Sequence, residues 1–232
     1  MPKGKYDMQN MGIELIFEGN NLLRILEGLL TTAQIAFSSI FIGLIFGILF
    51  GLIYSTKNLF IRFICRFYLD FFRIIPILVW LFVFYFVIPK FFNIDIGGEF
   101  VAISVFALWG IAEVGDITRG ALESLPRHNS DVALALGFNK IQLYTYVLVP
   151  QAFKRILPGV INLATRMIKT TSLVVMIGVV DVIKVGQQII ESNVLRVPDA
   201  SFWIYGLIFF LYFIICYPMS KFAKVLENRW NK

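Results

Sequence analysis

Charged side chains are scarce in this sequence. Asp, Glu, Lys and Arg make up 16% of the 232 residues, against about 25% in an average soluble domain. Apolar residues reach 58%, with 24 phenylalanines among them, and several apolar runs approach the roughly 20 residues that a helix needs to cross a bilayer. The composition excludes an ordinary soluble domain and predicts an all-α membrane protein with about five transmembrane helices.

Residue types that carry catalysis or bind metals are also few. The chain has one histidine, His128, and two cysteines, Cys65 and Cys216, which have no metal-ligand spacing. The sequence contains no GxxxxGK[ST] phosphate-binding loop, no GxSxG and no HExxH motif. We therefore expect no metal site, no cofactor and no catalytic residue in this chain, and it cannot hydrolyse ATP by phosphate-loop chemistry.

The apolar runs divide the chain into three regions. Residues 1–28 mix charged and apolar side chains in a pattern typical of an amphipathic helix on a membrane surface, with a break at Asn20 or Asn21. Residues 29–222 form the predicted membrane domain, and 223–232 a basic tail. The predicted spans cover about residues 29–54, 74–88, 99–122, 159–180 and 201–219.

Basic residues are unevenly divided between the segments that connect these spans. Because they lie between spans, the net charge of +6 indicates a role in topology, with no nucleic-acid partner expected. Thirteen of the 21 Lys and Arg lie in segments 55–73, 119–155 and 220–232, and six lie in segments 1–28, 89–98 and 181–200. The positive-inside rule places the richer set in the cytoplasm. We expect the N-terminus outside and the C-terminus in the cytoplasm.

The first predicted span carries a stripe of small residues. Gly43, Gly47 and Gly51 recur every four residues and so share one helical face. Such faces let helices approach closely in lipid. The stripe predicts a packing surface, with a flexing point for gating as the alternative.

The segment between the third and fourth predicted spans, here called the elbow (residues 131–158), is too polar to cross a bilayer yet carries helix signals. Ser130 is predicted to cap a short helix, with Asp131 in its first turn. Gly137 supplies a left-handed residue to end that helix. The small residues Ala133 and Ala135 keep one face shallow.

A second short helix is predicted in the same elbow. Asn139 and Gln142 have the spacing of a capping box, and Pro150 is expected to limit this helix. Two helices this short are not stable alone in water. The elbow must therefore dock, either on its own spans or in a cleft of a second protein.

Three stretches together carry a family resemblance. They are ALALGF at 133–138, LVPQAFKRILP at 148–158 and IKTTSLVVMIG at 168–178. They resemble the cytoplasmic signature and the following helix of ABC-importer permeases, in the branch that imports histidine, glutamine, glutamate and other polar amino acids. The resemblance implies a type I ABC importer permease fold. It also implies a cytoplasmic coupling helix in the loop 123–155, through which a partner ATPase moves the membrane domain.

The resemblance also implies partners and a location. These are a dimer of ABC ATPase subunits that binds ATP and Mg²⁺, a second permease subunit (an identical copy or a paralogue), an extracytoplasmic substrate-binding protein, and the lipid of a bacterial inner membrane. The residues that would contact the ATPase are Asp131, Ala133, Leu134, Ala135, Leu136, Gly137 and Phe138.

Ionisable residues in the third and fourth predicted spans need a separate explanation. Glu113, Asp116, Arg119, Arg166 and Lys169 would lie at membrane depth, where charges are costly and usually face a partner or a wet cavity. One hypothesis is that they pair with one another, Asp116 with Arg119, and Glu113 with Lys169 or Arg166. Alternatively, some line a translocation path, and three basic groups against two acidic ones then favour an anionic substrate.

Comparison with the family pattern at these positions gives matches and departures. Asp116 to Gly120 fits an acidic–Arg–Gly motif with Asp in place of Glu, whereas Glu113 stands where tyrosine is common and Arg166 where an apolar residue is expected. Residues 169–173 match the KxTSL motif. The candidates for the substrate path are Glu113, Asp116, Arg119, Arg166, Lys169, Thr170 and Ser172.

Two longer stretches bear on the substrate. Residues 72–89 and 122–138 resemble glutamate/aspartate permeases more than histidine or arginine permeases. The sequence therefore favours import of acidic amino acids. Glutamine or another polar or basic amino acid is the alternative, and an ion-coupled secondary transporter is the alternative of a different class, although no internal repeat is evident.

Overall fold

The computed structural model describes residues 12–230, which are almost entirely helical. Its helices are α1 (Glu14–Phe17), α2 (Asn21–Tyr54), α3 (Leu59–Ile74), α4 (Ile77–Phe82), α5 (Ile88–Phe92), α6 (Gly98–Glu123), α7 (Arg127–Ala135), α8 (Lys140–Gln142), α9 (Val149–Thr170), α10 (Val182–Asn193) and α11 (Ala200–Trp230). Turns of π-helix at Val83–Val87 and Leu143–Leu148 join α4 to α5 and α8 to α9, and a 3₁₀ segment, Thr171–Ile177, follows α9.

Four helical segments are long and apolar enough to cross a membrane, and one bent pair supplies a fifth span. The four contain α2, α6, α9 and α11, and the bent pair is Leu59–Ile74 with Ile77–Phe92. The prediction of about five spans is confirmed. The first helix begins earlier than predicted, at Asn21, so the region before it contains only the four-residue helix α1 within the described residues, and residues 1–11 of the predicted amphipathic segment lie outside them.

Helix α6 lies at the centre of the fold, and its buried side chains form the main core with α2, α4 and α9. The glycine stripe of α2 faces α6. A Cβ atom on Gly47 would lie 2.6 Å from the Cβ of Val114, and one on Gly51 would lie 2.5 Å from the Cβ of Thr118. A Cβ on Gly43 would lie 3.2 Å from the α6 backbone. The predicted packing surface is confirmed.

The second span is broken at Pro76. Ile75 and Pro76 are both extended, because the proline ring disfavours the helical conformation in the residue before it. Helices α3 and α4 therefore meet at 93°. The break places the last turn of α3, with Arg73, against α6.

The first helix of the elbow differs from its prediction. Helix α7 begins at Arg127 after Pro126, whose ring fixes φ near the helical value and whose carbonyl oxygen accepts from the Asn129 N–H. Ser130 is consequently inside the helix and does not cap it, and Asp131 lies in the second turn. Both predictions were wrong.

The end of α7 follows the prediction. Gly137 has φ of +85°, and two reverse hydrogen bonds close the helix. The N–H of Phe138 donates to the carbonyl oxygen of Ala133 at 3.1 Å, and the N–H of Gly137 donates to that of Leu134 at 3.0 Å. This is a Schellman motif, which satisfies two carbonyl groups at the helix end.

The second helix of the elbow starts as predicted but continues further. The N–H of Asn139 donates to Gln142 Oε1, and the N–H of Gln142 donates to Asn139 Oδ1, both at 2.9 Å, which is the expected capping box. Pro150 does not limit the helix, because the preceding turn is π-helical and the Val149 N–H bonds to the Tyr144 carbonyl. Such wide turns re-pair backbone groups around a proline, and the helical path continues to Ile177.

The chain after the fourth span forms the short helix α10 (Val182–Asn193). Gly178 adopts a left-handed conformation with φ of +81° and ends the 3₁₀ segment. Asp181 then caps α10 by accepting from the Lys184 N–H at 2.9 Å. Helix α10 packs on α2 and α11 in a second apolar core that includes Ile25, Ile189 and Ile204.

Candidate functional site

The ionisable residues predicted on the third span come together with arginines from two other helices. Glu113, Asp116 and Arg119 follow one another at three-residue steps on α6 and so lie along one stripe of the helix. Arg73 reaches them from the end of α3, and Arg166 reaches them from α9. We call this set, together with Glu123, the charge network.

Glu113 is the buried centre of the charge network, with only 10% of its side chain exposed. Arg73 Nε donates to its Oε1 at 2.7 Å, and Arg166 Nη2 donates to its Oε2. Both carboxylate oxygens are therefore bound by guanidinium groups. A charge this deep is tolerated because two opposite charges and their hydrogen bonds replace the water that it has lost.

The rest of the charge network runs along α6 from Glu113. Arg73 Nη1 also contacts Asp116 Oδ2 at 2.9 Å, and Arg119 Nη2 donates to Asp116 Oδ1 at 2.8 Å. Arg119 Nη1 then binds Glu123, and its guanidinium lies 4.9 Å from the centre of the Tyr54 ring on α2. Three arginines and three carboxylates alternate, so the network is neutral and links α2, α3, α6 and α9.

Two members of the charge network, Arg73 and Glu123, were not among the sequence candidates. Arg73 is 40 residues from Glu113 in the chain, and only the break at Pro76 brings them together. Glu123 follows Arg119 by one helical turn, which is the spacing of a local ion pair. That spacing is the signal that could have identified it.

Arg166 differs from the other arginines because 54% of its side chain is exposed. One nitrogen binds Glu113, and the guanidinium lies 5.2 Å from the centre of the Trp109 ring. Within the described residues its other nitrogens have no carboxylate partner. Arg166 is therefore fixed in place with donors still available to a second carboxylate.

Lys169 is exposed one turn beyond Arg166 and makes no ion pair with any described residue. The alternative pairing of Lys169 with Glu113 is thus wrong, since Arg166 and Arg73 occupy that carboxylate. The hydroxyls of Thr170 and Ser172 donate to the carbonyl oxygens of Arg166 and Lys169 on their own helix. Their oxygens can still accept a hydrogen bond.

Helix α9 extends this polar surface away from the charge network. Arg155, Asn162, Arg166 and Lys169 are exposed and recur at helical spacing along one side of α9. At its start the surface meets a cavity of about 370 Å³ between α6, α9 and the end of α11. Arg155 is held there by donating to the backbone oxygen of Ser124 at 2.7 Å and to its hydroxyl at 2.6 Å.

The elbow presents a different kind of surface. Ala133 is buried against the spans, whereas Leu134 is half exposed and Leu136 is 73% exposed. Asp131, Ala135 and Gly137 are also exposed, and Phe138 is half buried. Leu134 and Leu136 therefore expose apolar surface that a loop packed only on its own protein would bury.

These features define a multi-spanning helical membrane protein with a buried charge network and an elbow that exposes leucines. Residues 39–232 match the family described as binding-protein-dependent transport system inner membrane component. Because the match covers most of the chain, this protein belongs to that family. It is a permease subunit of an ABC importer for amino acids, lies in the inner membrane, and depends on a separate ATPase for ATP hydrolysis and on a substrate-binding protein.

Curated relatives agree on amino acids and differ on which one. The chain is 26% identical to a putative glutamine transport system permease protein of Rickettsia typhi (90% of this chain, 93% of the relative). It is 34% identical to an arginine transport system permease protein of Bacillus subtilis (69% and 73%). It is 26% identical to a glutamate/aspartate import permease protein of Escherichia coli (88% and 92%).

Solved structures match the fold over nearly the whole chain. A crystal structure of an amino acid ABC transporter with histidines has a TM-score of 0.82 at 26% identity, covering 96% of this chain and all of the other. An inward-facing MetNI methionine ABC transporter has a TM-score of 0.63 at 22% identity, covering 88% and 97%. The predicted importer-permease fold is confirmed, and family membership decides against the ion-coupled secondary transporter.

Proposed function

We propose that this permease imports acidic amino acids, glutamate and aspartate, which a substrate-binding protein delivers. The observation that carries the proposal is the pair of exposed cations on α9, Arg166 and Lys169. The charge network balances its own charges, so Lys169 is a surplus cation among the described residues, and Arg166 retains free donors. An acidic amino acid brings two carboxylates and one ammonium group, a net charge of −1 that this surface would neutralise.

In this proposal Arg166 binds one carboxylate of the substrate. Its planar guanidinium suits two parallel hydrogen bonds, and its contact with Glu113 already fixes its orientation. Lys169 attracts the second carboxylate, and the oxygens of Thr170 and Ser172 can accept from the ammonium group. The polar surface of α9 then leads past Asn162 to the cavity beside Arg155.

Replacing Arg166 by glutamine is expected to reduce uptake of glutamate by about 10- to 100-fold, because a hydrogen bond to a charged group contributes about 1.5–3 kcal/mol. The measurement is ATP-driven uptake into proteoliposomes that contain the assembled transporter and its binding protein. Lys221→Gln, at an exposed position on α11, is the matched control and should transport normally. Unchanged glutamate uptake by the Arg166 variant would show that Arg166 does not bind substrate.

The alternative substrates are glutamine, which the Rickettsia relative is named for, and arginine, which the Bacillus relative is named for. They are distinguished by stimulation of ATPase activity with binding protein loaded with glutamate, aspartate, glutamine or arginine. We expect glutamate and aspartate to stimulate most. Stimulation by arginine alone would overturn the proposal, since a cationic substrate would be repelled by Arg166 and Lys169.

We also propose that the elbow is the coupling element that the ATPase grips. Leu134 and Leu136 expose apolar surface at the end of α7, and the Schellman motif and the capping box hold both ends of the turn. An exposed apolar surface on a rigid support is typical of a protein interface. The helical path runs without a break from the second helix of the elbow through α9. Motion of the ATPase at the elbow would therefore be transmitted directly to the fourth span.

In this arrangement two copies of the permease, or this chain and a paralogue, surround the path and bind two ATPase subunits. The uneven distribution of Lys and Arg supports an orientation with the elbow and the C-terminus in the cytoplasm and the N-terminus outside. Helix α10 then lies on the outer side, where the binding protein delivers substrate.

Changing both Leu134 and Leu136 to glutamate is expected to weaken binding of the ATPase subunits at least tenfold, because truncating or charging a central interface residue typically costs about 1–2 kcal/mol or more. Co-purification of the ATPase with a tagged permease measures the effect. Leu195, which is 97% exposed in the turn before α11, provides the control variant Leu195→Glu. If the double variant still retains its ATPase, the interface lies elsewhere.

A further inference from the structure

A second buried polar site lies apart from the charge network, where α10 meets the spans. Its centre is the Asp181 carboxyl, which is 0% exposed. Oδ1 accepts from the Lys184 N–H, whereas Oδ2 has no hydrogen-bond partner among the described residues. Ionising a carboxyl that is buried without a cation nearby is costly, so burial favours the neutral form of this group.

The surroundings of Asp181 are hydroxyl groups from three other elements. Thr32 of α2 accepts from the Val182 N–H at 3.3 Å, and Thr171 of the 3₁₀ segment is fully buried. The Tyr212 hydroxyl of α11 is buried close to Thr32 and Thr171. The Asp181 carboxyl is thus the point at which α10 joins three membrane elements.

Close backbone packing makes this joint sensitive to a change in Asp181. A Cβ atom on Gly28 of α2 would lie 2.9 Å from the Cα of Val182 and 3.0 Å from the carbonyl oxygen of Asp181. The backbones of α2 and the start of α10 are therefore in direct contact at this point. Solvation of a charged Asp181 carboxylate would favour separation of α10 from α2.

Ionisable groups on the elements packed around Asp181 do not neutralise it. Arg24 of α2 is bound to Gln188 of α10 at 2.7 Å, and within the described residues Asp181 makes no ion pair. The other ionisable side chains on these elements are Glu27 and Tyr54 of α2, Lys184 and Glu191 of α10, and Tyr205, Tyr212, Cys216, Tyr217, Lys221, Lys224, Glu227 and Arg229 of α11.

We propose that the Asp181 carboxyl is a proton-binding site that controls the docking of α10. With the proton bound, α10 is held on α2 and α11; when the proton leaves, the carboxylate draws water and the joint loosens. Since α10 connects the fourth and fifth spans, its docking would set how freely those spans move relative to each other. Transport would then depend on pH independently of which amino acid is carried.

The direction of the pH dependence follows from burial. Desolvation raises the pKa of Asp181 from 3.8 to about 6. Because the pKa of the carboxyl is raised in the docked state, its contribution to docking is complete when the pH is below its ordinary pKa. This contribution is lost as the pH rises through about 6, and it does not change further at higher pH. A pKa difference of about two units between the docked and undocked states corresponds to at most about a 100-fold change in the docking equilibrium.

Hydrogen exchange of residues 183–193 in the full-length permease in lipid nanodiscs tests the proposal. After correction for intrinsic exchange rates, protection of α10 in the wild type should fall more than tenfold between pH 4.5 and pH 8. Asp181→Asn keeps a helix-capping oxygen but cannot ionise, and its protection should be high at both pH values. Asp199→Asn, at an exposed carboxyl before α11, should behave as the wild type.

Two results would overturn the proposal. One is a hydrogen-exchange measurement on the wild type in which the protection of α10 does not change with pH. This result can be obtained without any variant. The other is a fall in Asp181→Asn as large as in the wild type. Infrared spectra give a second readout: the wild type should show a protonated-carboxyl band at pH 5 that is lost by pH 8 and is absent from Asp181→Asn.

Discussion

Replacing Gly51 by leucine is expected to destabilise the permease by at least about 3 kcal/mol, at the upper end for overpacking of a core. The reason is the close contact of α2 with α6. A Cβ atom at position 51 would lie 2.5 Å from the Cβ of Thr118 and 2.6 Å from the carbonyl oxygen of Gly115. A backbone oxygen cannot move aside as a flexible side chain can, so the two helices must separate.

Thermal unfolding of the detergent-solubilised protein measures this effect. The matched control is Gly206→Leu, because Gly206 also lies inside a long apolar helix, α11, and a Cβ there meets nothing within 4 Å. The two variants make the same chemical change and alter helix propensity equally. Equal melting temperatures for the two variants would mean that α2 does not pack on α6 through its glycines.

The glycine stripe could be predicted from the sequence because its four-residue spacing lies within a single helix. The same holds for Gly137 and for the pair Asn139 and Gln142, whose backbone contacts are made within a few residues. Spans, turns and caps of this kind depend on short-range geometry. They account for the part of the fold that was predicted correctly.

The errors have physical causes that a local pattern does not contain. Ser130 is a good capping residue, but Pro126 starts the helix one turn earlier. Pro150 normally ends a helix, but a π-helical turn before it keeps the backbone paired and the helix continuous. In both cases a competing local structure wins because it lets the chain pack on the spans.

The charge network was only partly predictable. The stripe of Glu113, Asp116 and Arg119 is visible as an i, i+3 pattern, and the pairing of Asp116 with Arg119 follows from it. Which arginines reach Glu113 depends on the 93° bend at Pro76 and on the position of α9. Those contacts join residues 40 and 53 positions apart, so only the folded structure assigns them.

Replacing Glu113 by alanine is expected to destabilise the permease by about 3 kcal/mol, in the range for removing one partner of a buried ion pair. Glu113 is the largely buried member of the charge network, and its loss leaves two guanidinium groups facing each other across the space it occupied. Arg73 retains Asp116, but Arg166 loses the carboxylate that holds it on Trp109. Uptake should therefore fall together with stability.

A double-mutant cycle separates the ion pair from the packing of Glu113. Replacing Glu113 by glutamine and Arg166 by methionine, singly and together, measures the coupling between the two side chains by thermal unfolding. We expect the double variant to be more stable than the sum of the single losses predicts, because it leaves no unpaired charge at that contact. Asp70→Gln is the control: Asp70 lies 3.7 Å from Arg66 in an exposed pair on α3, which should contribute at most about 1 kcal/mol. Additive losses in the Glu113 and Arg166 cycle would show that the contact between α6 and α9 is held by apolar packing rather than by these charges.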